Sequence, residues 1–170
     1  EKSGQKLDQW ITTDLAIRSM GHDRLTDSAR RTIESWLPAH RHLLVIDDDR
    51  EISKAIRALL DSLKIRVLCC SQSAEAIELS RNAAAVLCEA NLQETTGTNL
   101  VRELRRSGYL GPVIMMSGDS TRATIDASIV AGIDDFLIKP FSPETLFCRL
   151  RRLVVANPDP NPSLRREKTA

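Results

Sequence analysis

The feature that most constrains the fold of this chain is a series of short apolar runs, each ending in a polar or charged residue. His42 to Ile46 closes on Asp47, Asp48 and Asp49, and Ala83 to Cys88 closes on Glu89. Pro112 to Met116 closes on Ser117, and Asp134 to Ile138 closes on Lys139, Pro140 and Phe141. Runs of this length, bounded by turn residues, read as strands buried on both faces. Ile65 to Cys69 reads as a further strand. Between them lie stretches with helical periodicity. Glu51 to Asp61 carries Ile52, Ala55, Ile56, Leu59 and Leu60 on one stripe, as a helix packed on a sheet requires. Further helices are expected from Ser73, as the capping residue, to about Arg81, and from Asn99 to Ser107. Two more are expected from Thr121 to Ala131, ending at Gly132, and from Pro143 to Val155, opened by Ser142.

Strand tips in an open parallel sheet gather at one edge, so Asp47, Asp48, Glu89, Ser117 and Lys139 are expected to converge although they are far apart in sequence. Three acids, a hydroxyl and an ammonium make a site for a cation and a phosphate group. In order and spacing these residues resemble the receiver domains of two-component response regulators, the CheY-like family, over residues 40–156. The resemblance implies a doubly wound (βα)5 flavodoxin-like parallel sheet of order 2-1-3-4-5, with right-handed crossovers.

By that resemblance, Asp47 and Asp48 match the acidic pair that binds Mg²⁺, and the backbone carbonyl of Asn91 matches the remaining protein ligand of the metal. Ser117 matches the switch hydroxyl, Phe136 the switch aromatic and Lys139 the lysine that pairs with phosphate. Glu89 matches the phosphoacceptor, where the family carries aspartate. Gly97, at the usual distance after the acceptor, anchors that alignment. The proline of the usual loop is missing, and Leu92 to Thr96 stand in its place. A regulatory role implies a protein partner, whether a sensor kinase, an effector or a regulator, and a homodimer, rather than an enzyme.

Glutamate at this position changes the chemistry. Its side chain is one methylene longer than aspartate, and misplacement by about 1 Å can cost on the order of a hundredfold in rate. Phosphotransfer and Mg²⁺ binding are therefore expected to be weak or absent, with Glu89 reaching Lys139 directly as a partial phosphomimetic. Two other readings stay open. One is a conventional phosphorylatable, Mg²⁺-dependent receiver, with Glu89 an introduced residue, with Asp47 or Asp48 accepting the group, or with Glu89 still accepting it. The other is a phosphatase of the haloacid dehalogenase type, opposed by Arg50 and Glu51 where that family wants Thr or Val, and by the lack of room for a cap domain.

Each residue also has a plainer role. The run Asp47 to Asp49 can be an acidic turn capping the next helix, and Asp49 is assigned that part. Ser117 taken alone is an ordinary strand-end hydroxyl, Phe136 a core residue and Lys139 a surface lysine before proline. A cis Lys139-Pro140 bond would be a deliberate turn feature.

A formal net charge of +1 and the absence of a long apolar run point to a cytoplasmic protein with no membrane segment and no direct nucleic-acid contact. The four cysteines lack metal-ligand spacing and read as reduced thiols. Residues 1–39 are expected to form a helical extension, with stripes at Leu7, Trp10, Ile11 and Leu15 and at Leu25, Ala29, Ile33, Trp36 and Leu37. That extension is a candidate dimerisation or partner element, or a segment that packs on the receiver. Residues 157–170, rich in proline and then in charge, read as a flexible tail.

Overall fold

The apolar runs assemble into one five-stranded parallel sheet of order β2-β1-β3-β4-β5. A computed structural model describes Leu37 and residues 40–157. The expected stripe of residues 7–15, most of the extension and the tail beyond Asn157 lie outside the described residues. In chain order the elements are β1 His42–Ile46, α1 Arg50–Ser62, β2 Val67–Cys70, α2 Ser73–Ser80, β3 Ala83–Glu89 and α3 Gly97–Arg106. They continue with β4 Val113–Ser117, α4 Arg122–Ala131, β5 Asp135–Ile138 and α5 Pro143–Ala156.

Every residue of β1, β3 and β4 is buried, which is why these strands are apolar throughout instead of alternating. Side chains of successive residues point to opposite faces, so the sheet divides the core into two layers. Leu43, Val45, Leu87, Ile114 and Met116 pack with Ile56, Leu60, Leu146 and Leu150 beneath α1 and α5. Leu44, Ile46, Val86, Cys88 and Met115 pack on the other face with Leu100, Val101 and Leu104 of α3. Leu37 is 7% exposed and belongs to the first layer, ahead of β1.

Helix starts follow side-chain chemistry in most cases. Asp49 caps α1 by accepting from Glu51 N and Ile52 N, the role assigned to it from sequence. Thr121 and Ser142 cap α4 and α5, and Gly132 ends α4 at φ 102°, a left-handed conformation that glycine adopts without steric cost. Four starts differ from expectation by a residue or two: α1 begins at Arg50 instead of Glu51, and α4 at Arg122 instead of Thr121. Gln72, not Ser73, is the N-cap of α2, and it makes no side-chain cap bond. Helix α3 begins at Gly97, two residues before Asn99, because Thr96 Oγ1 accepts from Asn99 N. The second strand is Val67–Cys70, displaced from the expected Ile65 to Cys69 by register: Val67 pairs with Leu43 and Cys70 with Ile46.

The cysteines are free thiols. Burial pushes the Cys69 thiol up, raises Cys70 to about 12 and raises Cys88 further, while Cys148 is exposed on α5. Among the described residues no helix is long and apolar enough to cross a membrane.

Candidate functional site

β1, β3 and β5 end at the same edge of the sheet, and their terminal side chains meet there. Lys139 follows β5 directly. Its ammonium donates to Asp47 Oδ2 at 2.8 Å and also bonds Glu89 Oε2. The three side chains are nearly sequestered, with exposures of 12% for Lys139, 1% for Asp47 and 11% for Glu89. Burial alone would lower the Lys139 pKa, but hydrogen bonds and charge from Asp47 and Glu89 outweigh it and hold the ammonium above its ordinary range. For Asp47, burial pushes the carboxyl up against the opposing pull of Lys139. The positive charge on Lys139 is the organising element, since both carboxylates turn toward it.

The remaining acceptor positions are also engaged. Asp47 Oδ1 accepts from Asp49 N at 2.9 Å, and Glu89 Oε1 accepts from Asn91 N at 3.1 Å. Asp48 turns across the edge, and its Oδ2 accepts from Gln93 N at 2.8 Å, tying the β1 tip to the loop after β3. An open crevice of about 310 Å³ borders Asp47 and Asp48 and is lined further along α1 by Arg50, Lys54 and Arg57.

Ser117 lies at the end of β4, fully buried, one strand from Glu89. Its backbone carbonyl accepts from Lys139 N at 2.7 Å, while its hydroxyl accepts from Asp119 N at 3.0 Å. The hydroxyl is thus turned toward the loop before α4. Phe136 lies within β5 opposite Met115, half-buried against the α3 layer and away from the strand tip. The Lys139-Pro140 bond is cis.

The structure therefore brings Asp47, Glu89 and Lys139 into direct contact, sets Asp48, Asn91 and Ser117 around them, and leaves Phe136 apart. Sequence reading missed two supports. One is the Gln93 backbone donor, which no side-chain pattern announces. The other is Asp119, which binds Thr121 N at 2.8 Å and Thr124 Oγ1 at 2.7 Å while its own N–H holds Ser117. A signal for it existed, since aspartate two residues before threonine favours a turn in which the side chain bonds the backbone.

Gly97 fixes the loop that follows Glu89. Its N–H donates to Ala90 O at 2.8 Å, and a Cβ at this position would collide with Glu89 O and approach Ala90 Cα and Met115 Sδ to 2.9 Å each. Two of those neighbours are backbone and cannot swing away. Gly97→Ala should accordingly lower stability by about 1–3 kcal/mol, measured by urea unfolding. A neutral substitution would show that the loop has slack.

The chain is similar to known proteins over the residues that build the sheet. Residues 43–151 match the family model described as "Response regulator receiver domain". Response regulator MprA of Mycobacterium sp. (strain KMS) is 31% identical over 123 residues, covering 71% of this chain and 54% of that protein. The chain thus spans about half the length of that relative. Two-component response regulator ORR3 of Oryza sativa subsp. indica is 30% identical over 119 residues, covering 67% of this chain and 91% of that protein. Among solved structures, the receiver domain of sensor histidine kinase PA1611 from Pseudomonas aeruginosa PAO1 is 26% identical at a TM-score of 0.62. The match covers 69% of this chain and 99% of that one, which holds a magnesium ion coordinated in its active site cleft. With the five-stranded order and the acidic edge in place, the chain belongs to the response regulator receiver family of two-component systems.

Proposed function

We propose that this chain is an atypical receiver in which Glu89 occupies the phosphoacceptor position and holds one signalling state without phosphorylation. The observation that carries this reading is the Lys139 ammonium joined to both Glu89 and Asp47. An acceptor must present a carboxylate oxygen in line with the donor, and the bonds from Asn91 N and Lys139 hold the two Glu89 oxygens in fixed directions on a side chain one methylene longer than aspartate. A carboxylate paired with Lys139 supplies part of the charge of a phosphoryl group at that position, though with fewer acceptor oxygens.

The same geometry bears on metal. Mg²⁺ takes near-ideal octahedral oxygen ligands and is usually held by one or two carboxylates. Here both oxygens of Asp47 are committed and one Asp48 oxygen binds Gln93 N. Lys139 supplies the positive charge between Asp47 and Glu89, and among the described residues no three acidic, histidine or cysteine side chains form a metal-ligand group. As arranged, these residues do not fit the ion, so Mg²⁺ binding is weak or absent.

Output then passes through protein contacts in the cytoplasm, with a kinase or effector partner and with a second copy of the chain. The face built by α4 and β5 offers Ile129, Val130 and Ile138, at 59%, 79% and 50% exposure, as apolar contact surface.

Intact-mass measurement after treatment with acetyl phosphate and Mg²⁺ tests the reading. The unaltered chain should gain no phosphoryl mass, whereas Glu89→Asp, with the acceptor shortened by one methylene, should gain one. Phosphorylation of the unaltered chain would restore a conventional switch. Failure of the folded variant to label would show that more than Glu89 departs from a working site.

A further inference from the structure

Ser117 stands between the acidic edge and α4. It is the last residue of β4, it follows Met116, the strand partner of Glu89, and the loop it opens leads directly into α4. A change at Glu89 that is to alter the surface of α4 therefore has Ser117 in its path. The side chain is fully buried, and its hydroxyl has three staggered positions open to it. It takes the one facing the loop, where it accepts from Asp119 N at 3.0 Å, while Glu89 bonds Asn91 N and Lys139 instead.

The loop itself is held by the side chain of the same residue. Asp119 Oδ1 accepts from Thr121 N at 2.8 Å, and Oδ2 accepts from Thr124 Oγ1 at 2.7 Å and from Thr121 Oγ1 at 3.3 Å. Thr121 is the N-cap of α4, and its own hydroxyl accepts from Thr124 N. The bonds from Thr124 and Thr121 hold the Asp119 carboxyl below its usual range, so it is ionised at neutral pH. A negative charge is also favourable at the start of a helix. One residue is thus fastened to the end of β4 through its backbone and to the first turn of α4 through its carboxylate.

We propose that Asp119 is a positioning residue that keeps Ser117 turned to the loop and so insulates α4 from the charge at Glu89. The surface of α4, with Ile129 and Val130 exposed, then keeps one arrangement whatever the acidic edge carries. This deepens the proposed function: it rests on Glu89 occupying the acceptor position, but not on whether Glu89 takes phosphate.

Backbone amide shifts of α4 in the full chain, followed by NMR, test it. Glu89→Gln keeps the side-chain length and removes the charge, and it should leave the α4 amides in place. In an Asp119→Ala background the same change should move them, and adding Ser117→Ala should abolish that response. Thr124→Val, which removes one partner of the carboxylate, should loosen the insulation independently. Asp119→Asn retains an oxygen for Thr121 N and should behave as the unaltered chain. A purely structural Asp119 would shift α4 amides by itself without making them respond to Glu89. Movement on Glu89→Gln with Asp119 intact would overturn the proposal, because the site would then reach α4 past the clasp. No movement in any background would overturn it too, since nothing would then depend on Asp119. Phosphoryl uptake is read separately by intact mass, so failure of the proposed function and failure of this inference are distinguishable.

Discussion

Lys139→Met is expected to lower the unfolding free energy by about 3–5 kcal/mol, because it leaves two inward-turned carboxylates without their shared cation. Asp47 and Glu89 are 1% and 11% exposed, so water cannot replace the ammonium. Methionine keeps much of the lysine stem, which confines the effect to the charge. Urea unfolding at neutral pH measures it. Adding Glu89→Met to the same chain should recover part of the loss, since one of the stranded charges is then removed. A loss below about 1 kcal/mol would mean the carboxylates are solvated and the bridge contributes no more than a surface pair.

The pH dependence of the unaltered protein has a definite sign. Lys139 has a folded pKa raised above the ordinary value of 10.5. The unfolded chain therefore releases this proton first as pH rises. The stabilisation from Lys139 is complete below about 10.5 and is lost as pH climbs through the raised folded value. Lys139→Met should lack that alkaline loss.

Arg105→Ala should produce the second large effect, a loss of about 3 kcal/mol, because several partly buried acceptors lose their donor at once, which costs more than an average hydrogen bond contributes. From the last turn of α3, the Arg105 guanidinium donates to Gly132 O at 2.7 and 3.0 Å, to Tyr109 O at 3.0 Å and to Gly111 O at 2.7 Å. It also meets the Asp134 carboxylate at 2.8 Å. It lies over the Tyr109 ring, 5.7 Å from the centroid. One side chain thus joins the end of α3, the turn before β4 and the C-cap of α4. Asp134 in turn accepts from Val113 N at 2.8 Å, so the network reaches the first residue of β4. Arg105→Lys should recover little, since a single ammonium cannot serve acceptors spread across a planar fork. Full recovery by lysine would show that charge, not geometry, matters here.

How legible these features were depends on where the relevant partner lies in the sequence. Strands buried on both faces are continuous apolar runs, so β1, β3 and β4 were readable to within a residue or so. The polar residues at their tips marked the site because a parallel sheet brings those tips to one edge. The contact of Glu89 with Lys139 could be anticipated from side-chain length. The Arg105 network could not, because most of its acceptors are backbone carbonyls, which every residue carries. The same applies to the Gln93 N–H that receives Asp48. Ser73 looked like the better helix cap by residue type, but the chain enters α2 one residue earlier and leaves Gln72 at that position. The burial of Leu37 in the layer beneath α1 and α5 could not be read either, because periodicity marks a residue as apolar without saying what it packs against.

The distribution of thiols sets how the protein can be probed. Thiolate is the reactive form of cysteine, and burial suppresses it at Cys69, Cys70 and Cys88. Cys148 alone among the cysteines is exposed, on the helix that carries the arginines bound to Asp135. A maleimide dye or spin label should therefore attach to the native sequence at one position on α5, making the movements of that helix observable without altering a single residue.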